Sequence, residues 1–192
     1  MRIYGDLISG NCLKVKWTCD KLKIAYDWVD IDIMKGESRT PEFLAMNRFG
    51  QVPTVELDDG RCLAQSNAIL CYLADGSKLI PKDAYHRGRM MEWLFWEQYS
   101  HEPYIAVCRF HMKYLGKSAD ERDPDRVTRG IAALETMETA LKESQFLVGK
   151  KMTLADISLV AYTRLATEGG FDLVPYPAVT DWIRRVETEL GI

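Results

Sequence analysis

Long apolar runs are missing from this chain. No stretch approaches the ~18 consecutive apolar residues that a membrane-spanning helix needs. The opening residues, MRIYGDLISG, are too polar and too short for the apolar region of a secretory signal. We therefore expect a cytoplasmic protein with no membrane partner. The 192 residues, 47% of them hydrophobic, still suffice for a substantial core in one domain or two compact ones.

A strong charge of either sign is also lacking. The formal net charge is −3, from 25 Lys and Arg against 28 Asp and Glu. Proteins that bind nucleic acid through bulk electrostatics carry a basic surface or stripe. The charge balance therefore argues against nucleic acid as a partner.

Cysteine and histidine are too few and too scattered for a disulfide framework or a metal site. The five cysteines are odd in number and form neither a CxxC pair nor a zinc-type spacing. The three histidines are far apart in the sequence. We expect reduced, mostly buried cysteines and no metal.

Two kinds of periodicity divide the chain. Strand-like alternation occurs over residues 2–4, 25–33, 54–57 and 61–63, and helix-like spacing over 12–22, 41–46 and 68–73. The order βαβ, α, ββα predicts a thioredoxin-like α/β domain with a mixed four-stranded sheet over residues 1–76. The alternation ends after Asp75-Gly76-Ser77, and we expect an all-α domain over residues 83–192.

Specific residues mark the helices of the second domain. Residues 84–115 predict one long helix, in which the ring of Pro103 should cause a kink near Ser100. Further helices are expected over residues 125–144 and 177–190. Thr153 and Asp156 form a variant of the capping box before an apolar run, worth about 1 kcal/mol.

The strongest functional pattern lies between residues 47 and 73. Pro53 follows Val52 at the mouth of a strand, where an X-Pro bond can be cis at a cost of only ~0.5–1 kcal/mol. A cis bond there would turn the Val52 N–H and C=O outward. Ser66 lies where a helix begins, and the unpaired N–H groups of that helix end suit a carboxylate. Serine is also a favoured N-cap, so on these residues alone both interpretations stay open.

The thioredoxin-like unit, the run NRFGQVPTVELDDGRCLAQSNAIL and the later segment FLVGKKMTLADISLVAY together resemble the cytosolic glutathione transferases. The resemblance spans essentially the whole chain. Ser9-Gly10-Asn11-Cys12 is similar to the S-x-x-C segment of the serine-type classes, such as theta and phi. The resemblance implies a homodimeric detoxification enzyme that uses glutathione as co-substrate and has no covalently bound cofactor.

The resemblance implies that Ser9 is catalytic, with its hydroxyl donating to the glutathione sulfur. A thiol of pKa ~8.5 is about 3% ionised at pH 7, and a downward shift of ~2 units makes it about three-quarters ionised. Asn11 is a second catalytic candidate through its amide, and Cys12 is a rival as a redox thiol. Ser9 and Asn11 are also candidates for a simple helix cap. Tyr4 lies inside the first strand and reads as a core residue or a secondary polar contact.

The remaining glutathione contacts follow from the same resemblance. It implies that the backbone at Val52 binds the cysteinyl group and that Gln65 and Ser66 hold the γ-glutamyl end. Gln65 stands where glutamate is commoner, so it weakens any ion pair with the ligand's amino group. For the glycine carboxylate the first choice is Arg39, with Lys35 and Gln51 as second choices. The full predicted set is Arg39, Gln51, Val52, Pro53, Gln65 and Ser66.

An acceptor pocket is expected between the domains, against the kinked helix. Its predicted lining residues share roughly one helix face, although such a stripe is also typical of a helix core: Tyr104, Ile105, Cys108 and His111. The activity implied is attack of a glutathione thiolate on an apolar electrophile. Two alternatives stay open, namely glutathione-dependent reduction of disulfides or peroxides, and a non-catalytic binding module on the same fold.

Overall fold

A mixed four-stranded sheet organises the N-terminal part of the chain. The strands are β1 (Arg2–Gly5), β2 (Asp27–Asp30), β3 (Thr54–Glu56) and β4 (Cys62–Ala64). Their order is β2-β1-β3-β4, with β1 parallel to β2 and antiparallel to β3, and with β3 antiparallel to β4. Ile3 and Val55 form a central cross-strand pair, and both are fully buried. The predicted thioredoxin-like sheet is confirmed.

Three helices accompany this sheet, as the sequence predicts. They are α1 (Gly10–Leu22), α2 (Pro41–Met46) and α3 (Ser66–Leu73). Thr40 caps α2 by accepting a hydrogen bond from the Phe43 N–H at 3.3 Å, and Pro41 takes the first position. The start of α2 at residue 41 is therefore set by a capping threonine and a proline at the first helical position.

The second strand is shorter than its alternating pattern predicts. After β2 the side chain of Asp32 accepts hydrogen bonds from the N–H groups of Met34 and Lys35, at 3.0 and 3.1 Å. These bonds favour a turn over an extended chain, and a 3₁₀ turn follows at Ile33–Lys35. A second 3₁₀ turn follows at Glu37–Arg39, with Ser38 buried.

The C-terminal part is helical. Its helices are α4 (Ala84–Trp96), α5 (Glu102–Lys113), α6 (Pro124–Lys142), α7 (Leu154–Thr163) and α8 (Pro177–Leu190). A π-helical segment, Glu97–His101, separates α4 from α5. The break expected near Ser100 is therefore present, and Pro103 lies in the first turn of α5, where its missing N–H costs little. Every residue of α7 is buried, which places this helix at the centre of the helical core.

The computed structural model describes residues 1–192, which divide into two units, Met1–Ser77 and Lys78–Ile192. No helix is both long enough and apolar enough to cross a membrane. All five cysteines are free, and Cys12, Cys19 and Cys108 are buried.

Candidate functional site

The loop before β3 has the geometry expected from its Val-Pro pair. The Val52–Pro53 peptide bond is cis, and Pro53 is buried. Neither the N–H nor the C=O of Val52 takes part in the hydrogen bonds of the turns and loops of this unit. The Val52 backbone groups therefore present one donor and one acceptor to a ligand that lies alongside.

Asn47 holds this loop in place. It is buried, and its Nδ2 donates to the Gln51 carbonyl at 2.7 Å and to Thr54 Oγ1 at 2.9 Å. Its Oδ1 accepts from the Phe49 N–H at 3.0 Å. One side chain thus ties both ends of the turn that leads into the cis-proline.

The start of α3 joins this loop. Gln65 occupies the N-cap position with a left-handed φ of 69°, which is uncommon for a residue other than glycine. Its Nε2 lies 3.4 Å from Gln51 Oε1. Ser66 is the first helical residue rather than the cap, and its hydroxyl donates to Asn11 Oδ1 at 3.1 Å. The simple N-cap interpretation of Ser66 is therefore wrong.

The start of α1 lies on the other side of that bond. Ser9 has the N-cap position, yet its side chain makes no capping hydrogen bond and instead interacts with the Cys12 thiol. Asn11 Oδ1 accepts from Lys14 Nζ at 2.8 Å as well as from Ser66. Because neither side chain caps α1, the alternative that Ser9 or Asn11 only caps the helix loses its support.

The Cys12 sulfur is in a poor environment for a nucleophile. Cys12 is fully buried, and that burial raises the pKa of its thiol to about 11. The Asp6 N–H donates to Sγ at 3.4 Å and opposes the shift only in part. Since the thiolate is the reactive form, Cys12 has neither the exposure nor the low thiol pKa that are typical of a redox thiol.

Tyr4 is also engaged away from the site. Its hydroxyl donates to Glu56 Oε2 at 2.7 Å across the β1–β3 pair. That hydrogen bond, together with burial and the Glu56 charge, raises the pKa of Tyr4. The Tyr4 hydroxyl is therefore used in a cross-strand contact within the sheet.

Arg39 lies beside the same loop. Its Nη1 donates to the Phe49 carbonyl at 3.2 Å, and a Cβ on Gly50 would lie 2.7 Å from that Nη1. Lys35, a second choice for the glycine carboxylate, is exposed and pairs with Asp32 at 3.0 Å. Arg39 thus lies close to the Gln51 turn, whereas the Lys35 ammonium forms an ion pair with Asp32 at the neighbouring 3₁₀ turn.

The hydrogen bonds connect most of the predicted glutathione residues. Arg39 donates to Phe49, which Asn47 ties to the Gln51 turn, and Gln65 contacts Gln51. Separately, Ser66 donates to Asn11 beside Ser9. Sequence reasoning missed Asn47 and Lys14, the two buried side chains that hold this arrangement. The available signal for Lys14 was its place among the apolar positions of α1, next to Cys12 and Val15.

The predicted acceptor residues all lie on α5, in the helical unit. Ile105 and Cys108 are buried there and contribute to its core. Tyr104 is half-buried, and the Arg129 guanidinium lies 5.6 Å from its ring centre. Tyr104 lines a cleft of about 260 Å³, and His111 is half-buried on the last turn of α5. Their role in an acceptor pocket stays a prediction.

Comparison with known proteins gives consistent matches over both units. Residues 1–75 match the family model "Glutathione S-transferase, N-terminal domain", and residues 96–189 match "Glutathione S-transferase, C-terminal domain". A crystal structure of a glutathione S-transferase from Pseudomonas fluorescens Pf-5 is 46% identical, with a TM-score of 0.94 over 97% of this chain and 94% of that chain.

Two curated proteins extend these matches to other organisms. Glutathione S-transferase 2 of Anopheles gambiae is 31% identical over 181 residues, which cover 91% of this chain and 84% of that protein. Glutathione S-transferase theta-1 of Mus musculus is 27% identical over 202 aligned positions, covering 100% of this chain and 84% of that protein.

Proposed function

The chain belongs to the glutathione S-transferase family and is a glutathione transferase, and from this premise we propose that its N-terminal unit activates glutathione as a thiolate for attack on an apolar electrophile. One observation carries the proposal. The contacts Gln51–Gln65 and Ser66–Asn11 join the cis-proline loop, the start of α3 and the start of α1. These are the three segments that a γ-glutamyl-cysteinyl-glycine ligand requires together.

Binding of the peptide is supported by the backbone and by helix ends. The Val52 N–H and C=O suit antiparallel pairing with the cysteinyl residue. The N–H groups at the start of α3, with the Ser66 hydroxyl, suit the γ-glutamyl carboxylate. The amide oxygen of Gln65 can accept a hydrogen bond from the amino group of the γ-glutamyl residue, but it carries no charge to form an ion pair. The Arg39 guanidinium suits the glycine carboxylate, which it can bind bidentately.

Activation of the thiol is supported by donors at the start of α1. A ~2-unit fall in the thiol pKa requires ~2.7 kcal/mol of preferential thiolate stabilisation. The Ser9 hydroxyl, which is not used as a helix cap, and the Asn11 amide N–H are suitable donors, and the helix N-terminus adds a favourable dipole. The thiolate then forms an S–C bond to the acceptor as a leaving group such as halide departs.

Reduction of disulfides or peroxides through Cys12 is less well supported. The Cys12 thiol is buried and its pKa is raised, so little thiolate exists there at neutral pH. We propose in addition that the enzyme is a cytoplasmic homodimer, as the resemblance to the cytosolic family implies.

Substitution of Ser9 tests the activation step. In Ser9→Ala we expect kcat/KM for an aryl halide acceptor to fall about tenfold or more near pH 6.5, because the bound thiol ionises less. The pKa of bound glutathione is measured by the ultraviolet absorbance of its thiolate. Ser144→Ala, which removes a half-buried serine hydroxyl that donates to the Gly149 carbonyl in the helical unit, is the matched control. Unchanged kcat/KM and thiol pKa in Ser9→Ala would eliminate the role of Ser9.

A further inference from the structure

Lys14 is a fully buried lysine on the side of α1 where the site lies. Its Nζ donates to Asn11 Oδ1 at 2.8 Å, one helical turn back along the chain. Burial of an ammonium group is costly unless its N–H groups are hydrogen-bonded. An apolar side chain packed at this position would avoid that cost. The presence of lysine instead indicates that a hydrogen-bond donor is needed there.

The bond from Lys14 fixes which way the Asn11 amide points. An ammonium group has three donors and no acceptor, so Asn11 must turn its oxygen, not its nitrogen, toward Lys14. The Ser66 hydroxyl donates to the same oxygen at 3.1 Å. With Oδ1 engaged by both groups, the Nδ2 donors of Asn11 are directed to the other side of the amide.

The Ser66 hydroxyl has a single proton to donate. When a γ-glutamyl carboxylate binds at the start of α3, it accepts that proton in a charge-assisted hydrogen bond, which is stronger than the bond to a neutral amide. Ser66 then no longer holds Asn11 Oδ1. The Lys14 bond still holds that oxygen and so keeps the amide in its orientation.

We propose that Lys14 is a positioning residue of the glutathione site, which holds the Asn11 amide so that its N–H groups donate to the glutathione sulfur while Ser66 binds the γ-glutamyl carboxylate. This inference rests on the proposed function. It adds a link between the γ-glutamyl end of the ligand and its central thiol. When the γ-glutamyl carboxylate binds Ser66, the Lys14 bond maintains the orientation of the Asn11 amide.

The charges around the start of α1 are compatible with this role. Lys14 lowers the pKa of the nearby Cys12 thiol against the larger effect of burial, so its positive charge is felt at the start of α1. The carboxylate charge of Asp6, in the loop before α1, acts on the Cys12 pKa in the opposite direction, whereas the Asp6 N–H lowers that pKa. Helix α3, which packs against α1, contains no Asp, Glu, Lys or Arg.

The first experiment compares lysine variants of α1 in the full-length protein. Lys14→Met should raise the pKa of the bound glutathione thiol by about one unit and lower kcat/KM near pH 6.5 about tenfold. Affinity for S-methylglutathione should stay within about twofold, because Lys14 contacts Asn11 and not the peptide. Lys14→Arg retains a donor and should restore most of the effect. Lys16→Met, on the exposed side of the same helix, should leave thiol pKa and rate unchanged.

The second experiment avoids the risk that Lys14→Met does not fold. In the wild-type protein, the NMR signals of the Asn11 side-chain amide should shift with pH as bound glutathione ionises. They should not shift in this way with S-methylglutathione, which has no thiol. If the Asn11 amide signals do not shift as bound glutathione ionises, the inference is overturned.

The two proposals fail in different ways. If wild-type protein binds no glutathione, or does not lower its thiol pKa, the proposed function itself fails. If the wild type lowers that pKa and a folded Lys14→Met lowers it equally, only the role of Lys14 is refuted. Failure of Lys14→Arg to restore activity would likewise count against positioning by a hydrogen-bond donor.

Discussion

Among single residues, Cys12 is the one whose thiol pKa bears on whether the protein's own sulfur or the glutathione sulfur reacts. Burial raises its thiol pKa from 9.0 to about 11, so the neutral thiol is favoured by the fold below pH 9 and that preference is lost as pH rises toward 11. We expect iodoacetamide to label native Cys12 very slowly near pH 7.5, with a rate that rises about tenfold per pH unit. Peptide mapping by mass spectrometry measures the rate.

The control for Cys12 is the unfolded protein, in which the same residue should react as an ordinary thiol. Cys12→Ala should keep most of its glutathione conjugation activity, since the proposed reacting sulfur belongs to the ligand. Fast labelling of native Cys12 near pH 7.5, with loss of activity in Cys12→Ala, would favour the reductase alternative instead.

The residues of the candidate site differ in how far the sequence could predict them. Ser66 and Ser9 are polar residues at helix starts, a local pattern that a sequence displays. Asn47 and Lys14 act only through partners fixed by the fold, Thr54 and Asn11 among them. The sequence alone does not distinguish a buried lysine from an exposed one. The role of Lys14 is inferred only from its burial and its 2.8 Å contact with Asn11.

At the scale of elements, the start of α7 depends on Asp156. Its carboxylate accepts hydrogen bonds from Leu147 N–H at 2.9 Å, Thr153 N–H at 2.8 Å and Trp182 Nε1–H at 2.9 Å, as well as from the Thr153 hydroxyl. Burial raises the pKa of Asp156, and these four donors oppose that shift. The residue thus joins three segments of the helical core, beyond its expected capping of one helix.

Asp156→Ala is therefore expected to cost about 3–5 kcal/mol of unfolding free energy, because buried donors are left without an acceptor. Thr153→Ala removes only the hydroxyl contact and should cost about 1 kcal/mol, the amount expected from the sequence for the box as a whole. Urea unfolding followed by circular dichroism measures both. Equal losses in the two variants would show that Asp156 acts as a cap alone.

Helix boundaries followed from the sequence wherever a residue imposes a local rule. Pro177 begins α8 as predicted, and Pro103 lies just after the irregular segment Glu97–His101. The π-helical form of that segment was not predicted, because it depends on buried side chains such as His101, whose Nε2 lies 2.9 Å from Thr163 Oγ1 on α7. Contacts between distant segments, rather than propensity, determine such irregularities.

For the molecule as a whole, two exposed aromatic side chains are candidates for a self-association surface. Phe95 and Tyr99 lie four residues apart on the helical unit and are 69% and 81% exposed. Tyr99 also lines the cleft of about 260 Å³ between the π-helical segment, α5 and α6. Exposed aromatic side chains beside a cleft are typical of surfaces that are covered by a partner. A second copy of the chain is the partner that the proposed homodimer requires.

We therefore expect light scattering to give twice the chain mass of 22.0 kDa for the wild-type protein. Tyr99→Glu should shift the mass toward that of a single chain, because a carboxylate would be buried without a partner charge. Val174→Glu introduces the same charge at an 86% exposed apolar residue outside this surface and should leave the mass unchanged. A single-chain mass for the wild type would refute the homodimer. Equal dissociation by both variants would show that added charge, not the aromatic surface around Tyr99, controls association.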